Sequence, residues 1–163
     1  MTVSSRALLL GIAAVAFAAI AAALVSQHVF DMQPCPWCVL QRLIFVAIGL
    51  VALTGLAWRS AIGQRVVTLG VLLLAGSGIA AAAWHYFVAS TSTSCNLTLA
   101  DRIMSGSGLA ALLPDAFEAR ATCADAAVAV LGVSYVLWAL ALFVAIGAAA
   151  IGLLLRAQHT TVG

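Results

Sequence analysis

Apolar positions gather into four long runs along this chain, at about 7–25, 39–57, 66–88 and 126–155. The second run is unbroken only from Leu43 and reaches back to Val39 if Arg42 is tolerated inside it. A helix needs about 20 mostly apolar residues to cross the hydrocarbon core, and it satisfies its own backbone groups there. The pattern predicts an all-α membrane protein: a four-helix transmembrane bundle forming one domain over residues 1–163. Small residues such as Gly70, Gly76, Ser77 and Gly78 would let neighbouring helices approach closely. Polar positions concentrate in loops at about 26–38 and 89–125. In the second loop a Ser/Thr tract at 90–94 reads as flexible. Leu109, Leu112, Leu113 and Phe117 then fall at helical spacing, with Pro114-Asp115 as a break. A short amphipathic helix lying on the membrane surface would explain them.

Composition agrees with the pattern. The chain is 65% hydrophobic and 7% charged, with mean hydropathy +1.19, whereas soluble domains carry roughly 25% charged residues. Nothing in it suggests a nucleic-acid partner. The arginines add orientation. Arg6 precedes the first run, Arg59 and Arg65 lie between the second and third, and Arg156 follows the fourth. All five acids lie in the other two loops. The positive-inside rule puts both termini in the cytoplasm and both polar loops outside. Ala21-Ala22-Ala23 resembles a signal-peptide cleavage site, but the apolar stretch before it exceeds the usual 7–15 residues. An uncut anchor is therefore expected.

The candidate chemistry is in cysteine. Cys35, Cys38, Cys95 and Cys123 all fall in the two outward loops, none inside an apolar run. Buried free cysteine is common in apolar cores, so this placement is an arrangement. Three readings compete: two redox pairs in series, four ligands to one metal, or inert staples. A four-cysteine zinc site usually presents two C-x-x-C knuckles, and only Cys35–Cys38 has that form. No metal is expected. A staple suits Cys95 with Cys123 but not Cys35 with Cys38, because a bridge closing so short a loop constrains the unfolded chain little. Short bridges of this kind recur for redox reasons.

Cys35, Cys38 and Arg42 share one helical face if the second span starts early. An arginine in the first turns of a span is costly enough to suggest a function, and beside Cys38 it would stabilise a thiolate. The competing reading is a side chain snorkelling to the interface. His85 lies late in the third run among Trp84, Tyr86 and Phe87. It is either a passenger in an interfacial aromatic belt or a hydrogen-bond donor to the carbonyl of a bound quinone.

These features together resemble the DsbB family of bacterial disulfide-bond formation proteins. The likeness rests on Gln27-His28-Val29, on the run from Gln33 through Pro34, Cys35, Pro36, Trp37 and Cys38 to Gln41-Arg42, and on Cys123-Ala124-Asp125 with Leu131-Gly132 and Trp138. It implies a location in the bacterial inner membrane, and a thiol:quinone oxidoreductase whose catalytic residues are Cys35, Cys38, Cys95 and Cys123. A reduced DsbA-like periplasmic thioredoxin-fold protein would attack a Cys95–Cys123 disulfide, with Cys95 forming the mixed disulfide. Electrons would pass to Cys35–Cys38, and Cys38 would reduce a quinone, ubiquinone or menaquinone, held near Arg42 and His85. DsbA is a strong oxidant at about −120 mV, so its re-oxidation needs an acceptor at least as oxidising.

Three features depart from the family pattern. Gln41 stands where Glu is frequent, so no proton role is assigned to it. Pro36-Trp37 replace aliphatic residues inside the first pair, and residues 124–130 lack an aromatic. A vitamin K epoxide reductase-like enzyme is the nearest rival, but its C-x-x-C comes late and its loop cysteines early. A non-enzymatic membrane protein with stapled outer loops leaves Arg42 beside Cys38 unexplained.

Overall fold

The computed structural model describes residues 5–58, 60–91 and 99–159. Four helices are long and apolar enough to cross a membrane: α1 (Ser5–Val29), α2 (Pro36–Ala57), α3 (Ala61–Phe87) and, after the outer segments, the last helix. A 3-10 turn at Ala89–Thr91 follows α3. Three short helices come next: α4 (Leu99–Ser107), α5 (Leu109–Leu112) and α6 (Pro114–Phe117). A two-stranded hairpin, β1 (Ala129–Val130) and β2 (Val133–Ser134), then leads into α7 (Tyr135–His159). In the bundle α1 packs on α2, α2 on α3, α3 on α7, and α7 closes back on α1. Short α4 and α6 both lie against α2, so α2 is the element the rest surround.

The fold is an all-α membrane bundle, as the hydrophobic pattern predicts. Its outward face is itself apolar, with Leu10, Leu50, Leu73 and Ile151 all exposed. Exposed apolar side chains on each of the four long helices suit a lipid surrounding.

Local chemistry explains where the helices begin. Cys35 is the N-cap of α2, its sulfur accepting from the Cys38 amide, and Pro36 occupies the first helical turn. Proline suits that place because the amide it lacks would have no intrahelical partner. Cys38 therefore lies in the first turn of the span rather than in the loop before it. Ser60 caps α3 by accepting from the Gly63 amide at 3.1 Å.

The last span differs from the expected 126–155. Leu131 (φ 55°) and Gly132 (φ 79°) are both left-handed, the backbone of a tight hairpin turn. Ala129 pairs with Ser134 and Val130 with Val133. The apolar residues before Tyr135 thus form a hairpin, and the Trp138 indole donates to the Val130 carbonyl at 3.4 Å. The leucine pattern at 109–117 forms two single turns, α5 and α6, parted at Leu113, next to the Pro114 break.

One glycine fixes a close approach. A Cβ on Gly78 would collide with the Phe143 ring. Phe143 stacks on Phe45 with centroids 4.1 Å apart, so α3, α7 and α2 lock together through that ring.

Candidate functional site

The first turn of α2 carries the chemistry. Cys35 and Cys38 are free thiols with sulfurs 3.1 Å apart. Cys35 is fully buried and Cys38 half-buried. The hydrogen bond to Cys38, and then burial, hold the Cys35 thiol well above the ordinary thiol range. Of this pair, Cys35 is the one that keeps its proton.

One helical turn on, Arg42 is only 6% exposed. Its guanidinium donates to Gln27 Oε1 at 2.7 Å, to the Ala116 carbonyl at 3.1 Å and to the Ala23 carbonyl at 3.2 Å. Gln27 is itself fixed, donating to the Asp115 carbonyl at 3.1 Å. These acceptors come from the end of α1 and from α6, so the guanidinium joins three elements. All are neutral. Among the described residues no carboxylate lies within ion-pair distance of Arg42. Cys38, one helical turn back on α2, lines the same cavity as Arg42. A buried cation without a counter-ion favours an anion at the nearest ionisable group.

Cys38, Gln41 and Arg42 also form the polar end of a cavity of about 390 Å³ between α1, α2 and α7. Its other walls are mostly apolar, among them Phe45, Leu142 and the hairpin residues Val130 and Leu131. A volume of this order with few convergent polar groups is a small-molecule site by general criteria.

His85 does not line that cavity. It is fully buried in the last turn of α3. Nε2 lies 3.5 Å from Cys35 Sγ and Nδ1 lies 3.3 Å from Gln41 Nε2. Cys35 and Cys38 thus have different neighbours: imidazole beside one sulfur, the guanidinium's field and a cavity beside the other.

The other two cysteines belong to the stretch of sequence between α3 and α7. Cys123 is fully buried and disulfide-bonded, while Cys95 falls outside the described residues. The backbone amides of Arg120 and Ala121 both donate to the Pro34 carbonyl, at 2.9 and 3.2 Å. The strand of chain leading to Cys123 is thereby pinned to the residue preceding Cys35. A second cavity, of about 400 Å³, has Pro34, Cys38, Ala121 and Ala126 in its wall. It opens Cys38 towards the Cys123 segment. Arg120 is held by Glu118 at 3.0 Å and Asp115 at 3.4 Å.

Sequence reasoning singled out Cys35, Cys38, Arg42, His85 and Cys123, and the structure brings the first four to one end of the bundle. It gave no role to Gln27 or Gln41, which hold Arg42 and His85. A signal existed: each is an uncharged polar side chain in an apolar helix, and both are at least nine-tenths buried.

Comparison with known proteins follows the same lines. The sequence model described as disulfide bond formation protein DsbB matches residues 5–153. Disulfide bond formation protein B of Ralstonia nicotianae is 39% identical over 142 residues, covering 86% of this chain and 87% of that protein. Disulfide bond formation protein B 1 of Pseudomonas syringae pv. syringae is 40% identical over 140 residues, covering 83% and 80%. The Cupriavidus metallidurans protein of the same description is 32% identical over 162 residues, covering 98% and 99%.

Proposed function

The chain belongs to the DsbB family of disulfide bond formation proteins, and from that membership we propose that its two cysteine pairs relay electrons from a periplasmic DsbA-like protein to a membrane quinone. Membership itself makes it a multi-pass membrane oxidoreductase that generates disulfides. The observation that carries the finer reading is the pairing of Cys38 with Arg42 at the polar end of an apolar cavity within the bundle.

The relay starts outside. A thiolate of the reduced partner attacks the Cys95–Cys123 disulfide at Cys95, and the partner leaves oxidised. The two electrons now sit on Cys95 and Cys123 as thiols. One of these attacks the Cys35–Cys38 disulfide by ordinary exchange. The outer disulfide re-forms and the inner pair becomes a dithiol. The Pro34 carbonyl, holding the Arg120 and Ala121 amides, keeps the Cys123 segment beside the inner pair for this step.

The inner dithiol must then lose two electrons and two protons. Arg42 stabilises the Cys38 thiolate and offers a cation to any carbonyl oxygen in the cavity. His85 Nε2, against Cys35 Sγ, is the group placed to take the Cys35 proton. That position favours a role on the thiol over the carbonyl role expected from sequence. A quinone, when bound, supplies the acceptor for two electrons and two protons. The cavity fits one: its walls are apolar, it lies between spans, and Cys38, Gln41 and Arg42 would face the head group. Closing the inner disulfide returns the protein to its starting state.

The arginines on the other side of the bundle support an inner-membrane orientation with both termini cytoplasmic and the cysteine loops periplasmic. The test is quinone reduction by purified protein in detergent, with a reduced DsbA-like protein as donor. Wild type should turn over, and Cys38→Ser should not. Folded wild-type protein with intact disulfides that reduces neither ubiquinone nor menaquinone would sink the relay.

A further inference from the structure

We propose that the reduced Cys35–Cys38 pair and His85 form a zinc site, so that the divalent cation captures the inner dithiol and switches the protein off. This donor set differs from a four-cysteine site, because its third ligand comes from α3. The two sulfurs and an imidazole nitrogen all lie within 4.8 Å of one another. Cys35 Sγ is 3.1 Å from Cys38 Sγ and 3.5 Å from His85 Nε2. Tetrahedral zinc, with Zn–S about 2.3 Å and Zn–N about 2.0 Å, needs S···S near about 3.8 Å and S···N near about 3.5 Å. Nε2 already stands at that spacing from Cys35 Sγ. Cys38 Sγ, within 4.8 Å of the imidazole nitrogen, must move about 0.7 Å away from Cys35 Sγ and up to about 1.3 Å towards His85 to reach the tetrahedral values, which takes a rotation of the half-buried Cys38 side chain.

Charge and hydrogen bonding suit the ion. Two thiolates, one Zn²⁺, a neutral imidazole and a water in the fourth position sum to zero, so the bound ion adds no positive charge beside Arg42. Thiolate and imidazole are donors that zinc prefers. For Nε2 to ligate, Nδ1 must carry the hydrogen and needs an acceptor. The Gln41 amide is 3.3 Å away, and with its oxygen turned to the ring it accepts that proton. A histidine ligand is commonly oriented in this way by a neighbouring oxygen.

The step balances without electron transfer. Zinc takes up the Cys38 thiolate directly and replaces the Cys35 thiol proton, which goes to solution, and two Zn–S bonds form. The disulfide offers no thiolates, so only the reduced inner pair binds. While zinc is bound, Cys38 cannot pass electrons on. The inference needs only the dithiol and His85, not the quinone reading, and is tested by binding rather than turnover.

The test uses full-length protein carrying Cys95→Ser and Cys123→Ser, leaving the inner pair as the one source of thiols. The protein is purified in detergent, reduced without oxygen and titrated with Zn²⁺ against a chromophoric chelator, then with Co²⁺ for absorption. One zinc per chain, about one proton released, and sulfur-to-cobalt charge-transfer bands with tetrahedral d–d intensity are expected. Loss of a supporting hydrogen bond alone weakens metal sites about 10–100-fold. His85→Ala should therefore weaken zinc binding at least about tenfold, and Gln41→Ala by about tenfold. His85→Gln, which keeps a buried polar side chain there, is the companion variant if the alanine protein does not fold. Affinity indifferent to His85, binding that survives oxidation, or one zinc bridging two chains would each overturn the proposal.

Discussion

Arg42 donates its shortest hydrogen bond to the side-chain oxygen of Gln27, 2.7 Å away and on a different helix. The partner is neutral, and this decides what the arginine can do. A carboxylate there would consume the charge; an amide fixes its direction and leaves the charge to act on Cys38.

Arg42→Ala should therefore lower kcat/KM for quinone reduction by at least about tenfold, since bonds to a charged group are worth about 1.5–3 kcal/mol each. Arg42→Lys should recover little of it, because an ammonium does not reproduce the planar fork that reaches Gln27, Ala23 and Ala116. Steady-state kinetics over a range of quinone concentrations tests both. Full activity in the lysine variant would show that charge alone suffices.

The two inner thiols should differ in reactivity. In reduced protein in chelator-treated buffer, a small alkylating agent should modify Cys38 well before Cys35, because Cys38 opens to two cavities while Cys35 is fully buried and keeps its proton. Mass spectrometry of timed samples reads the order. Cys35 reacting first would contradict the assignment of the thiolate to Cys38.

Gly78→Ala should destabilise the bundle while Gly76→Ala should not. The first added methyl meets the Phe143 ring, and the second meets nothing within 4 Å. Overpacking of this kind costs about 1–3 kcal/mol. Thermal melts of both variants in one detergent compare them directly.

The hairpin before α7 should matter to ligand affinity more than to folding. Gly132→Val places a β-branched residue at φ 79°, at a cost of about 1–2 kcal/mol. Val130 and Leu131 line the cavity beside Cys38. The expected result is a raised KM for quinone with cysteine chemistry towards a small dithiol intact. An unchanged KM would take the hairpin out of the binding site.

Four spans were legible in the sequence, the last apart from its start, because an apolar run of bilayer length leaves a chain in lipid no alternative to the helix. The sequence also determined which loops carry the cysteines and where the arginines gather, since both are one-dimensional facts. Even the two unexpected turns had local signs: Leu131-Gly132 marks the hairpin that delays the last span, and Pro36 marks the early start of α2. Facing is different. Hydrophobicity marks a residue as fit for lipid or core, but says little about which way a nearly uniform apolar helix is rotated. Only packing decided that His85 meets Cys35, 50 residues away. Packing also put Gln27 on Arg42, and made the start of α7, rather than α3, the far wall of the cavity beside Cys38. Those contacts depend on fits such as Phe143 over Gly78 and Phe45, where shape selects one rotation from many of similar hydrophobicity.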